Sequence, residues 1–192
     1  MRAEAKMVLN FIAFQVAWLA CVLGGANDRS MAGTMVVVAA IGLHLTLAQR
    51  PRPEALLIAA ATVVGLAWES WVVALGLMSY PTGNIAPGLA PYWIVAMWAL
   101  FATSLNLSMA WLKGRPWLAA VFGAVGGPLA YLAGERLGGL QMPEPLLALG
   151  VQALGWAVML PMLTRLAARL DGFGPVSPAP WSRAPQEAHN NV

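Results

Sequence analysis

The chain has 192 residues, of which 59% are hydrophobic and 10% are charged, and its formal net charge is +3. Because soluble domains carry about 25% charged residues, this composition predicts a membrane protein and argues against a nucleic-acid partner. One cysteine and two histidines cannot supply an intrachain disulfide or the usual thiolate and histidine metal sites. We expect no metal and no other cofactor.

Six apolar stretches follow one another, each long enough to cross about 30 Å of hydrocarbon as an α-helix. They predict one all-α membrane domain over residues 1–170, a six-transmembrane-helix bundle with the N-terminus and C-terminus in the cytoplasm. The stretch 171–192 is rich in Pro, Ala and Ser and predicts a disordered cytoplasmic tail. The predicted helices are about 8–24, 31–48, 55–78, 90–112, 117–139 and 145–168.

The basic residues set the predicted orientation. Of the 11 lysines and arginines, only Arg29 and Arg136 fall on one side of the predicted bundle. The positive-inside rule places the other side in the cytoplasm. The cytoplasmic set comprises Arg2, Lys6, Arg50, Arg52, Lys113, Arg115, Arg165, Arg169 and Arg183.

The third and sixth predicted helices both start with Pro-Glu-x-Leu-Leu, at 53–57 and 143–147, and Gly65 and Gly155 follow at equal spacing. Two three-helix halves would have opposite orientations in the membrane, as in inverted-repeat transporters. The similarity therefore indicates either a 3+3 inverted repeat or chance in a Leu-, Ala- and Gly-rich sequence.

Small residues recur at steps of four along the fifth predicted helix, at Gly126, Ala130, Gly134 and Gly138. Such residues let helix backbones approach closely in lipid. The pattern predicts that the fifth helix is central and tightly packed.

Glu69, on the third predicted helix, shares a helical face with Gly65 and Gly76 and should point into the bundle. A charge at membrane depth costs at least about 2.5 kcal/mol on insertion scales, which favours a function such as contact with a ligand, a cation or a proton. The alternative is a structural ion pair or a neutral carboxylic acid. Arg136 is a candidate partner, and a solvated helix end is the other interpretation of that arginine.

Other polar and aromatic side chains are predicted near Glu69. Asn106 and Gln152 should face inward, either as interhelical hydrogen-bonding groups or as ligand contacts. Trp68, Trp71 and Trp156 either line a cavity suited to an amphipathic ligand or pack the bundle and its interfaces.

The fourth and fifth predicted helices also carry a series of short motifs: Leu89-Ala90-Pro91-x-Trp93, Trp98-x-x-Phe101-Ala102, Leu105-Asn106-x-Ser108 and Gly126-Gly127-Pro128-Leu129-Ala130-Tyr131. Together with Asn10, Gln15 and Trp18, they resemble the DUF2878 family of small bacterial inner-membrane proteins. The resemblance implies an aspartate at the position of Glu69 in most members and no established activity. It also implies, by association only, a role near lipid-modifying proteins.

Three functions remain open from the sequence. The first is a protein that binds or moves a lipid-like or hydrophobic small molecule, with a role in membrane-lipid remodelling. The second is a lipid-modifying enzyme with Glu69 or Glu135 as general acid or base, although the sequence has no catalytic motif. The third is the substrate-binding subunit of a multi-component transporter. Membrane lipids are the expected partners, and protein partners stay open. The candidate ligand-binding residues are Glu69, Trp68, Trp71, Asn106, Tyr131, Arg136, Gln152 and Trp156.

Overall fold

The computed structural model describes residues 2–174, and this part of the chain is helical. Within residues 2–174, five helices are long and apolar enough to cross a membrane, as expected of a multi-pass membrane protein. The helices are α1 (Ala3–Ala26), α2 (Ser30–Leu47), α3 (Pro51–Ala74), α4 (Tyr92–Leu105), α5 (Pro116–Arg136) and α6 (Pro145–Arg169), with a 3-10 helix at Ala110–Leu112 between α4 and α5.

The fourth helix is shorter than the predicted span 90–112. It has 14 residues and rises only about 21 Å. Thr103 and Ser104 donate hydrogen bonds to the carbonyls of Leu100 and Phe101, three residues earlier. Such local bonds compete with the regular helical pattern, and the backbone then continues through turns to the 3-10 helix.

This short α4 is the central helix of the bundle. It packs against α1, α2, α3 and α6, and most of its residues are buried. Irregular backbone at membrane depth is tolerated where protein covers it, which explains why the helix can end early. The prediction that the fifth helix is central was therefore wrong.

Helix α5 instead packs almost entirely against α6. Gly123 and Gly127 lie so close to Trp156 that a Cβ at either position would overlap it. The opposite side of α5 exposes Phe122, Val125 and Leu129. The small residues thus permit close packing, as predicted, but with a single neighbour.

The helices pair as α1 with α2, α3 with α4, and α5 with α6. The extensive packing of α5 on α6 has no counterpart between α2 and α3, so the helix pairing does not support an inverted repeat.

The predicted tail 171–192 falls mostly outside the described residues. Its first four residues, 171–174, are described, and they pack against the bundle. The backbone N–H groups of Gln49 and Arg50 both donate to the Gly172 carbonyl, at 3.0 and 3.1 Å. Residues 171–174 therefore pack with the bundle, and the prediction for the rest of the tail lies outside the described residues.

Candidate functional site

Glu69 lies on α3, one turn before its end, and its side chain is fully buried. Three hydrogen-bond donors surround the carboxylate. The Trp98 Nε1–H donates to Oε1 at 3.0 Å, and the Tyr80 hydroxyl donates to Oε2 at 3.3 Å. The Tyr131 hydroxyl also donates to Oε1. The donors come from α4, the α3–α4 loop and α5, so this one side chain links three segments to α3.

This arrangement corrects the predicted pairing with Arg136. Arg136 is exposed at the end of α5, and Glu69 forms no ion pair within residues 2–174. An isolated charge in an apolar interior is costly, and hydrogen bonds from neutral donors offset part of that cost. Glu69 is therefore held by two tyrosines and a tryptophan, without a cation.

Two more predicted residues join this cluster. The Trp68 Nε1–H donates to Gln152 Oε1 at 2.9 Å, which links α3 to α6. The Gln152 amide lies 3.7 Å from the Met78 sulfur, and the Tyr80 hydroxyl lies 3.9 Å from the same sulfur. A continuous series of contacts thus connects Trp68 to Glu69. Trp156 lies beside it, stacked on Trp98 with ring centroids 4.8 Å apart.

Three other predicted candidates lie elsewhere. Trp71 is half exposed on the outer surface of α3, against Trp68. The Glu135 carboxylate accepts a hydrogen bond from the Met142 N–H, so it fixes the α5–α6 connection and does not face Glu69. Asn106 contacts Glu54, which is 15 residues from Glu69 and therefore about 22 Å away along α3.

An aromatic groove lies between α1 and α5, which make little direct contact. Its two adjoining parts contain about 630 and 1310 Å³ of space, open mouths included. Both parts are lined by Phe14 and Trp18 of α1, Phe101 of α4, Ala130 of α5 and Trp156 of α6. We call this feature the α1–α5 groove.

The groove opens towards the side of the bundle that would face lipid. Phe11 on α1 and Phe122 and Leu129 on α5 line it, and all three are about half exposed. Gln15 also lines the groove, near the middle of α1, and is exposed there. Its amide forms no hydrogen bond to any other residue in the described part of the chain. Ser104 and Ser108 also line the groove, but their hydroxyls donate to the Phe101 carbonyl and to Asn10 Oδ1. The groove therefore combines an aromatic wall with one amide, Gln15, that has no partner in the described residues.

Glu69 does not itself line this groove. Trp98 and Tyr131, which both donate hydrogen bonds to its carboxylate, form part of the groove wall. Glu69 can therefore fix the position of two wall residues, and an occupant would meet the Trp98 and Tyr131 rings before the carboxylate.

A second polar cluster lies at the other end of α3, around the fully buried Glu54. Its Oε1 accepts hydrogen bonds from the Asn106 amide at 2.7 Å and from the Gly172 N–H at 2.6 Å. His44 Nε2 lies 2.9 Å from Oε2, and the Phe173 ring packs on the His44 imidazole. The cluster joins α2, α3, the end of α4 and the segment after α6.

Further contacts fasten the segment after α6 at this end, which we call the basic end. The Arg50 guanidinium donates to the Asp171 carbonyl, and Lys113 Nζ lies 2.8 Å from Asp171 Oδ2. Burial raises the pKa of Asp171. Hydrogen bonds from Lys113 and from the Phe173 and Gly174 N–H groups outweigh that effect and lower the pKa below its ordinary value.

The sequence did not predict the Glu54 cluster. Glu54 resembles an ordinary acidic residue in the first turn of a helix, where a carboxylate is favourable without any partner. His44 near the end of α2 resembles an ordinary interfacial side chain, and its contact with Glu54 depends on the tight α2–α3 connection. The spacing of ten residues between them carries no recognisable signal.

Comparison with known proteins identifies the family of this chain. No curated protein and no solved structure matches the chain. The family model described as "Protein of unknown function (DUF2878)" matches residues 7–162. The match covers most of α1, all of α2 to α5 and most of α6, and it includes both polar clusters except the segment after α6. The chain therefore belongs to the DUF2878 family.

Proposed function

We propose that this chain is a bacterial inner-membrane protein with both termini in the cytoplasm, and that it binds a lipid-like or hydrophobic small molecule in the α1–α5 groove. The observation that carries the proposal is the position of Gln15. A primary amide exposed to hydrocarbon lacks hydrogen-bonding partners, and burying an unpaired amide in an apolar environment costs several kcal/mol. An occupant with a hydroxyl, carbonyl or ester group beside its hydrocarbon would satisfy it.

The aromatic walls support the same occupant. Ligand sites are mainly apolar, with a few placed polar groups that fix orientation. Here the rings of Phe14, Trp18, Phe101 and Trp156 provide the apolar surface. The lateral opening lets a molecule enter from the membrane without crossing the loops.

Glu69 has a positioning role in this proposal. Its hydrogen bonds hold the Trp98 indole and the Tyr131 phenol at the groove wall. A wall fixed in advance reduces the ordering cost of binding. The groove would thus remain open when it is empty.

Filling the groove should remove its occupant. Ala130 lines both parts of the groove and is exposed, so Ala130→Trp would place an indole where the occupant lies. We expect the variant to lose about 90% of any molecule that copurifies with the wild-type protein, because the groove space is taken. Extraction and quantitative mass spectrometry of the gently solubilised proteins measure this.

Val125→Trp is the matched control. Val125 lies on the same helix, is half exposed and does not line the groove. It should retain the copurified molecule at the wild-type level. Equal retention by both tryptophan variants, or wild-type protein that carries only the bulk lipids of its membrane, would contradict the proposal.

A further inference from the structure

A polar pocket opens at the basic end, and it shares no lining residue with the α1–α5 groove. It lies between the start of α1, the α2–α3 connection, the end of α4 and the segment after α6, and it contains about 890 Å³ of space, open mouth included. The residues that can interact with a polar ligand there are Glu4, Lys6, Gln49, Asn106, Lys113 and Asp171.

The pocket carries two charges of opposite sign that have no ion-pair partner within residues 2–174. Asp171 neutralises Lys113, at 2.8 Å. Lys6 donates instead to a neutral acceptor, the Leu47 carbonyl, at 2.8 Å, and its ammonium lies 5.3 Å from the centroid of the Phe173 ring. Neither Lys6 nor Glu4 forms an ion pair within residues 2–174. Because side chains two apart on a helix do not face each other, these two charges do not cancel directly.

Asn106 adds an independent observation. It is 5% exposed and lines the pocket, and its Oδ1 has no hydrogen-bond donor in the described part of the chain. Its amide nitrogen faces two acceptors, Glu54 Oε1 and the Leu170 carbonyl, so exchanging the amide atoms would place an oxygen against oxygens. Oδ1 therefore remains an acceptor that requires a donor.

We propose that this pocket binds a phosphoethanolamine-type zwitterion, in which a phosphodiester lies next to a primary ammonium. Lys6 matches the phosphate, since Lys113 is already paired with Asp171. Glu4 and the Asn106 Oδ1 match the ammonium, which supplies up to three donors. A purely anionic headgroup would satisfy Lys6 but would leave Glu4 and Asn106 Oδ1 without partners. This proposal concerns a pocket with separate lining residues and does not depend on an occupant in the groove.

Native mass spectrometry of the full chain in detergent tests the pocket, with phosphatidylethanolamine and phosphatidylglycerol as probes. The wild-type protein should prefer phosphatidylethanolamine. Glu4→Gln should reduce this preference about fivefold, because the ammonium loses its charged partner. Lys6→Gln should reduce the affinity for both lipids about fivefold, because both carry a phosphate.

The controls remove equivalent charges that do not line the pocket. Arg52→Gln, at the same end, and Glu144→Gln, at the start of α6, should leave both affinities unchanged. Thermal midpoints equal to that of the wild type confirm that each variant folds. Equal binding of the two lipids by the wild-type protein would overturn the proposal, as would Glu4→Gln behaving like Glu144→Gln.

Soluble glycerophosphoethanolamine distinguishes the source of the ligand. Competition at concentrations similar to those of the lipid would assign the site to the free compound, and absence of competition alongside lipid binding would assign it to the membrane lipid. The groove variant Ala130→Trp should keep the preference for phosphatidylethanolamine, so failure of one proposal leaves the other to be judged separately.

Discussion

Replacing Gly123 by alanine should destabilise the protein by about 2–4 kcal/mol, through separation of α5 from α6. A Cβ at this position would overlap the backbone carbonyl of Trp156, which cannot move aside as a flexible side chain can. The two helices must then move apart, which loses close packing along their whole interface. Thermal unfolding in detergent, monitored by size-exclusion chromatography, should show a midpoint roughly 10 °C below that of the wild-type protein.

Gly126 provides the control on the same helix. The nearest atom to a Cβ there is Phe122 Cε1, at 3.8 Å, which is ordinary contact. Because alanine favours helix by up to about 1 kcal/mol over glycine, Gly126→Ala should be neutral or slightly stabilising. A Gly123→Ala protein as stable as Gly126→Ala would show that α5 and α6 do not pack as closely as described.

Replacing Glu69 by alanine should cost about 3–5 kcal/mol, because it leaves three buried donors without their acceptor. Trp98 Nε1 and the hydroxyls of Tyr80 and Tyr131 all lose their shared partner. Each unpaired buried group costs about 1–3 kcal/mol, and the hydroxyls recover part of this by rotating. Glu69→Gln keeps one acceptor oxygen and should cost less, about 1–2 kcal/mol. Denaturant unfolding monitored by tryptophan fluorescence measures both.

A double-mutant cycle separates this network from a general effect of burial. Tyr131→Phe should destabilise the wild-type protein but have little effect in the Glu69→Ala background, because the bond is already lost. Glu135→Ala is the control, because it removes a carboxylate that accepts a single N–H, from Met142. It should lower the free energy of unfolding by about 1 kcal/mol. Additive effects of Glu69→Ala and Tyr131→Phe would contradict the shared hydrogen bond.

Helix faces and lengths could be predicted from the sequence because they depend on local periodicity. The third, fifth and sixth spans were located within about four residues at each end, and Glu69 was expected to point inward because it shares a face with Gly65. A Cβ at Gly65 would overlap the Trp98 indole, so the glycine makes room for a donor to Glu69. Gly65 and Glu69 therefore act together: the glycine leaves space for the indole, and the carboxylate accepts its hydrogen bond.

The partners of these side chains were not predictable because they depend on which helices pack together. Arg136 was the one nearby cation in the sequence, but the donors to Glu69 are neutral and come from three segments. Asn106 was assigned to a continuous fourth helix, and hydroxyl groups near its end shorten that helix and turn Asn106 towards Glu54. Periodicity describes a helix face and does not identify its neighbour.

Photo-cross-linking from inside the α1–α5 groove tests its occupancy most directly. A photoreactive amino acid at Phe14, which lines both parts of the groove, would be compared with the same residue at Ile12, which is half exposed and does not line it. Mass spectrometry of the irradiated protein should show a defined hydrophobic adduct at position 14 and a mixture of bulk lipids at position 12. The same bulk mixture at both positions, or no adduct at position 14, would contradict a binding groove.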